Sequence, residues 1–110
     1  MKRKEEATEE GTTWFVSRHP GAVEWARRKG LDIDRWEAHL DPAEVRAGDT
    51  VVGSLPANLA AGVCARGARY LHLSLDLPLA WRGRELSAAE LEQAGASIEQ
   101  FTVQRISHAL

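Results

Sequence analysis

The stretch Thr12-Thr-Trp-Phe-Val-Ser-Arg-His-Pro-Gly-Ala-Val-Glu-Trp-Ala-Arg-Arg-Lys-Gly30 decides the fold of this chain. A β-branched and aromatic run ends in the polar triplet Ser17-Arg18-His19, and Pro20 then stands where the first residue of a helix is expected. The pattern predicts a strand, a polar turn and a helix. In an open α/β sheet, such a turn lies outside the carboxyl end of a strand, where these folds bind their ligands. We also expect unpaired N–H groups at the start of the helix to suit a phosphate.

Two later segments, Thr50–Leu59 and Tyr70–Pro78, repeat the design of an apolar strand that ends in small polar residues. Helical patterns follow at 56–66 and after the capping box Ser87-Ala-Ala-Glu90. Strand and helix alternate along the chain, which indicates a mainly parallel sheet with helices on both faces. The sequence therefore predicts the α/β class, as a single Rossmann-like domain with about five strands.

Two further patterns assign strands to places in the sheet, and the last strand completes the set. Residues 34–40 alternate apolar and charged side chains, which is typical of a half-exposed edge strand. Residues 49–53 are apolar on both faces and are expected in the centre. The last strand is predicted at 97–105.

Length, charge and cysteine content limit the kind of protein. A chain of 110 residues forms one domain, here residues 12–110, and its net charge of −2 gives no overall attraction to long nucleic acid. The single Cys64 fits a reducing compartment and core packing. Residues 1–11 are expected to be a flexible charged tail without the apolar core of a signal peptide, and no run is long enough to cross a membrane. We therefore expect a cytoplasmic protein.

The residues at the first strand exit are the candidates for catalysis. Arg18 is able to hold a phosphate in a bidentate fork, and His19 exchanges a proton near neutral pH. The hydroxyl of Ser17 can hydrogen-bond with either. The structural alternative is that Arg18 pairs with a carboxylate and that His19 caps the helix.

Further polar residues at the later strand exits and in the following loop are candidates for ligand binding: Ser54, Asn58, Ser74, Asp76, Arg82 and Arg84. Asn58 either caps the second helix or binds a base or ribose edge, and Ser54 is either a turn residue or a phosphate donor. Asp76 orients His19, binds a ribose hydroxyl or caps a turn. The loop with Arg82 and Arg84 either closes over an anion or is solvated.

Several chemistries are not supported by the sequence. The four histidines and Cys64 show no zinc-ligand spacing, and no close carboxylate pair offers a metal platform. No Gly-x-Gly-x-x-Gly or P-loop run is present, so no cofactor is expected. His72 is expected to pack within a strand, and His39 and His108 are expected at the surface.

Five segments carry a resemblance to a known family: Trp14–Trp25, Ala38–Asp41, Gly48–Gly53, Leu55–Ala60 and Arg66–Pro78. In this order they resemble the small CRISPR-associated Csx family numbered sixteen, which accompanies type III CRISPR systems. The resemblance implies a ring nuclease, a dimeric Rossmann-like protein that degrades cyclic oligoadenylate, chiefly cyclic tetra-adenylate. The catalytic residues named above come from the strand-exit pattern and not from the resemblance.

The expected reaction needs no metal. A ribose 2′-hydroxyl attacks the adjacent phosphorus in line and leaves a 2′,3′-cyclic phosphate and a 5′-hydroxyl. Two alternatives stay open: a sensor or sponge that holds the cyclic nucleotide without cutting it, and an interaction protein of a CRISPR complex.

Overall fold

A five-stranded sheet with helices against both faces forms the frame of the structure, a computed structural model that describes residues 11–109. The elements along the chain are β1 (Thr13–Val16), α1 (Pro20–Arg28), β2 (Arg35–Glu37), β3 (Thr50–Gly53), α2 (Ala57–Ala65), β4 (Arg69–Ser74), α3 (Ala88–Gln93) and β5 (Ser97–Phe101), with 3₁₀ turns at Pro42–Glu44 and Leu79–Trp81. The strand order is β2-β1-β3-β4-β5, in which β5 alone is antiparallel to its neighbour. The predicted fold class is confirmed. Except for Gly11, the predicted tail lies outside the described residues.

Alternating side chains of the strands feed two cores, one on each face of the sheet. On one face α2 packs with residues of β1, β3 and β4, among them Trp14, Val16, Val51, Val63 and Tyr70. On the other face α1 and α3 pack against the alternate residues, among them Phe15, Trp25, Val52, Leu73 and Leu91. All four residues of β3 are buried, as predicted for the central strand.

Both edge strands are shorter than predicted. The edge strand predicted at 34–40 ends at Glu37, because β1 ends at Val16 and the N–H of Ser17 donates the last bond, 2.9 Å, to the Glu37 carbonyl. The strand predicted at 97–105 ends at Phe101, which pairs with Tyr70 near the start of β4. Beyond these points an edge strand has no neighbour to pair with, so periodicity alone overestimates its length.

Asp49 joins the strands at the amino end of the sheet. Its carboxylate, 4% exposed, accepts hydrogen bonds from the Thr12 N–H at 2.8 Å, the Arg46 N–H at 2.9 Å and the Trp14 indole N–H at 3.2 Å. Burial acts to raise the pKa of Asp49, but these three bonds outweigh it and hold the pKa below its usual value. The start of β1 is thereby tied to the residue that precedes β3.

The carboxyl end of β3 depends on Gly53, because β1 and β3 approach each other closely there. A Cβ atom on Gly53 would lie 2.6 Å from the carbonyl oxygen of Val16 in β1. Any other residue would therefore push β1 and β3 apart where their polar turns leave the sheet.

None of the helices within residues 11–109 has the length and apolar character needed to cross a membrane.

Candidate functional site

A cavity of about 380 Å³ opens at the carboxyl ends of the parallel strands. Its walls come from three strand exits: Ser17–His19 after β1, Ala38–Leu40 after β2, and Gly53–Pro56 at the end of β3. Apolar side chains of the sheet and of α2 complete the lining: Phe15, Val16, Leu59 and Leu73. Four of the residues predicted for the site, Ser17, Arg18, His19 and Ser54, are thus brought to one place.

Arg18 reaches this cavity as an exposed cation. It makes no ion pair with any residue between 11 and 109, so the alternative of a structural carboxylate partner is not realised in that part of the chain. Its guanidinium is therefore available for bidentate hydrogen bonds to a phosphate.

His19 is held from the side by a carboxylate, Glu85, that no sequence pattern marks. Its Nδ1 lies 3.1 Å and 3.2 Å from the two carboxylate oxygens of Glu85, and its backbone N–H donates to the Ser17 Oγ at 3.1 Å. A carboxylate only accepts hydrogen bonds, so Nδ1 carries a proton in this contact. In the neutral ring, Nε2 is then the atom that accepts a proton. His19 also precedes α1 as its N-cap residue, but its side chain makes no capping bond.

The N-terminus of α1 offers less to a phosphate than its sequence suggested. Pro20 has no N–H group, and the N–H groups of Ala22 and Val23 both donate to the His19 carbonyl. Among the first-turn groups, this leaves the N–H of Gly21. The expectation of a row of free N–H groups is corrected accordingly, because the helix begins with a 3₁₀-type bond at Ala22.

Ser54 and His39 line the cavity in different ways. The Ser54 Oγ donates to the Leu73 carbonyl at 3.1 Å and so holds the ends of β3 and β4 together. In this structure the hydroxyl therefore has a structural partner within the sheet. His39 is exposed, as predicted for a surface residue, but it lies on the cavity wall after β2. His39 follows the end of β2 as His19 follows the end of β1, and this position could have marked it in the sequence as a site residue.

A buried tyrosine fixes the backbone of the β3 exit. The Tyr70 hydroxyl accepts a hydrogen bond from the Leu55 N–H at 2.8 Å and lies 3.2 Å from the Gly53 carbonyl oxygen. It also lies 2.6 Å from Nδ1 of His72, which is half-buried as expected for a packed histidine. Burial raises the pKa of Tyr70, so the phenol stays protonated and able to donate. The cavity wall at Gly53–Leu55 is thereby braced from behind.

The remaining predicted binding residues do not line this cavity: Asn58, Ser74, Asp76, Arg82 and Arg84. Asn58 is exposed in the first turn of α2, which has no side-chain cap among the described residues. Ser74 pairs with Ser97 of β5 in the antiparallel ladder.

The loop after β4 is partly fastened to the fold. Arg84 donates to Glu90 of α3 at 2.8 Å and stacks over Trp81 at 5.1 Å. Both Arg82 and Arg84 are exposed. Asp76 does not orient His19, because Glu85 of the same loop holds that place.

Within residues 11–109, no three or more His, Cys, Asp or Glu side chains lie together in an arrangement that could hold a metal ion.

An open, mostly parallel α/β sheet with a cavity at the carboxyl ends of its strands defines a Rossmann-like domain with a candidate ligand site. The chain belongs to the family described as "Putative CRISPR-associated protein (Cas_VVA1548)", whose family model matches residues 14–104. The match includes all of the cavity wall. The chain shows no significant similarity to any curated protein or to any solved structure.

Proposed function

We propose that this protein is a ring nuclease of type III CRISPR systems, which binds cyclic oligoadenylate, above all cyclic tetra-adenylate, and opens it without a metal ion. The observation that carries the proposal is the pairing, on one cavity wall, of an exposed arginine with a histidine whose Nδ1 is held by a carboxylate. Membership of a CRISPR-associated family supports the biological setting.

Binding in this proposal depends on the charge of Arg18. The whole chain is slightly acidic, so attraction of a polyanion has to be local. A phosphate seated between the β1 and β3 exits would accept hydrogen bonds from Arg18 and from the Ser17 hydroxyl, whose oxygen already accepts from the His19 N–H. The half-buried side chains of Leu40, Leu55 and Leu59 on the cavity wall offer an apolar surface to the face of a nucleoside.

The proposed reaction transfers two protons, one to His19 and one to the leaving oxygen, and exchanges one P–O bond. Nε2 of His19 takes the proton of a ribose 2′-hydroxyl while the 2′-oxygen forms a bond to the adjacent phosphorus. The bond from phosphorus to the 5′-oxygen breaks, and that oxygen takes up a proton from an acid. His39, on the same cavity wall, or a water molecule supplies it. The product is a linear chain with a 2′,3′-cyclic phosphate and a 5′-hydroxyl, and no water is consumed. Arg18 would offset the charge that develops on the phosphate oxygens.

The size of the cavity favours a dimeric site. At about 380 Å³ it lies near the lower end of the usual range for small-molecule pockets, which is enough for part of a four-nucleotide ring. Cyclic tetra-adenylate has two-fold symmetry, so a two-fold dimer would present the strand exits of both protomers to it. We therefore propose that the working form is a homodimer.

The decisive experiment incubates the purified protein with labelled cyclic tetra-adenylate in the presence of EDTA. Cleavage to a product with a 2′,3′-cyclic phosphate supports the proposal. Binding without cleavage identifies a sensor or sponge, and absence of binding favours an interaction protein of the CRISPR complex. His108→Ala, which removes an exposed histidine outside the cavity, is the matched control for His19→Ala.

Sedimentation of the free protein tests the dimer. A mass near twice the 12.1 kDa of the chain at micromolar concentration is expected. A monomer that stays monomeric with ligand contradicts the two-protomer site.

A further inference from the structure

We propose that Glu85 is the positioning residue for His19: it fixes the tautomer in which Nε2 accepts a proton from the substrate. The inference rests on the proposed function for its use, but its structural content can be measured without any substrate. The sequence placed the two residues 66 positions apart, and the fold brings their side chains together.

The contact is made by both carboxylate oxygens. Oε2 and Oε1 of Glu85 lie 3.1 Å and 3.2 Å from Nδ1 of His19, so the Nδ1–H bond is shared between them. The side chains are 57% and 68% exposed, and an exposed pair of this kind contributes little to the stability of a fold. Its effect is therefore expected on the histidine and not on unfolding.

The backbone that follows Glu85 is fixed, which makes the contact more than a chance meeting of two surface side chains. The Leu86 carbonyl packs so closely on α1 that a Cβ atom on Gly21 would lie 1.8 Å from it. Next along the chain, Ser87 caps α3: its Oγ accepts from the Glu90 N–H, and the Glu90 side chain accepts from the Ser87 N–H. Arg84 binds the same glutamate.

The chemical consequence concerns which ring nitrogen carries the proton. In water a neutral histidine side chain carries it mainly on Nε2, which would leave no acceptor there. The hydrogen bond at one ring nitrogen sets the state of the other, so Glu85 stabilises the Nδ1–H form and leaves the Nε2 lone pair free. After Nε2 has taken a proton, the same carboxylate stabilises the resulting imidazolium.

The test measures the tautomer of His19 by ¹⁵N NMR of the full-length protein above pH 8. The Nδ1–H form is expected in the unchanged protein, and Glu85→Ala is expected to shift it to the Nε2–H form. Glu85→Gln keeps an oxygen acceptor without the charge, so it should retain the Nδ1–H form. Glu24→Ala removes an exposed carboxylate that pairs with Arg28 on the same helix, and it should change nothing.

The rate arm uses single-turnover cleavage of cyclic tetra-adenylate by the same variants. Glu85→Ala is expected to slow the reaction about 10- to 100-fold with little change in affinity, since it removes part of what proton transfer contributes. The cleavage rate of Glu85→Gln should lie between those of Glu85→Ala and the unchanged protein.

An Nε2–H tautomer in the unchanged protein overturns the inference, and so does an unaltered tautomer in Glu85→Ala. If that variant does not fold, the Nδ1–H form must be found in the unchanged protein and in Glu85→Gln, or the inference fails. Should the unchanged protein cleave no cyclic oligoadenylate, the proposed function fails, while the tautomer still decides whether Glu85 positions His19.

Discussion

The two ends of the parallel sheet use polar side chains in opposite ways. At the amino end, Asp49 is almost completely buried and accepts three hydrogen bonds from groups of this chain, and Arg35 stacks over Trp14 at 4.0 Å. At the carboxyl end, Arg18 and His39 are exposed on a cavity wall, and no ion pair involves either one within residues 11–109. The amino end uses a buried carboxylate to hold the strands together, whereas the carboxyl end presents an arginine and a histidine to solvent. Stability and ligand chemistry are thereby separated, and substitutions at the two ends should have different effects.

The largest effect is expected for His19→Ala. If Nε2 of His19 takes the 2′-hydroxyl proton, single-turnover cleavage should fall by a factor of about 10² to 10⁴ while affinity stays nearly intact. Rapid-quench kinetics and calorimetry on the same preparation measure the two quantities. The free energy of unfolding should hardly change, because the side chain is exposed. A parallel loss of affinity and rate would make His19 a binding residue.

Arg18→Ala comes next and acts on affinity. A desolvated phosphate that loses its bidentate partner should bind more weakly by about 2–4 kcal/mol, as measured by calorimetry with cyclic tetra-adenylate. Urea unfolding should stay within about 0.5 kcal/mol of the unchanged protein. An affinity loss smaller than threefold would assign the phosphate to another cation.

Asp49→Asn tests the other end of the sheet and should lower stability without touching the cavity. An amide offers one oxygen and one NH₂ group to three N–H donors, so at least one donor is left facing another donor, at a cost of about 2–3 kcal/mol. Asp34→Asn is the matched control, because Asp34 is exposed and accepts one bond from the Thr13 N–H. Equal losses in the free energy of unfolding of the two variants would contradict the larger contribution expected from the buried carboxylate of Asp49.

The smallest effect is expected in how the stability difference between the unchanged protein and Asp49→Asn depends on pH. The folded pKa of Asp49 is lowered, so the unfolded chain takes up its proton first as the pH falls. The stability contributed by Asp49 is complete above its unfolded pKa of about 3.9 and is lost as the pH drops through the lower folded value. Urea unfolding between pH 7 and pH 3 should show the gap to Asp49→Asn narrowing only below about pH 4. A gap that narrows between pH 7 and pH 5 would point to a different group.

Much of the fold could be predicted from the sequence, because its signals are local. Pro20 after a polar triplet marks the start of α1, and the apolar run at 50–53 marks the central strand. The lengths of the edge strands could not be predicted in this way. They depend on where the neighbouring strand ends, and residues 38–40 and 102–105 continue the pattern without a partner.

The candidate site was predictable where it follows a single strand exit and not where it depends on distant contacts. Ser17, Arg18 and His19 follow β1 directly and line the cavity. Glu85 lies in a loop whose path is set by the packing of Leu86 on α1, and nothing in its local sequence marks it. The local pattern instead indicated Asp76 as the residue that orients His19, because Asp76 lies at the exit of β4.

The antiparallel direction of β5 has a practical consequence for work with this protein. Its reversal carries the chain away from the cavity, and the N–H of Val103 already lies against Cys64 near the end of α2. Gly11, where the described part begins, packs beside Gly48 at the same amino end of the sheet. A fluorophore or a surface linker attached to the described chain beside Gly11 or Val103 therefore lies opposite the strand exits, and the cavity stays open to solution.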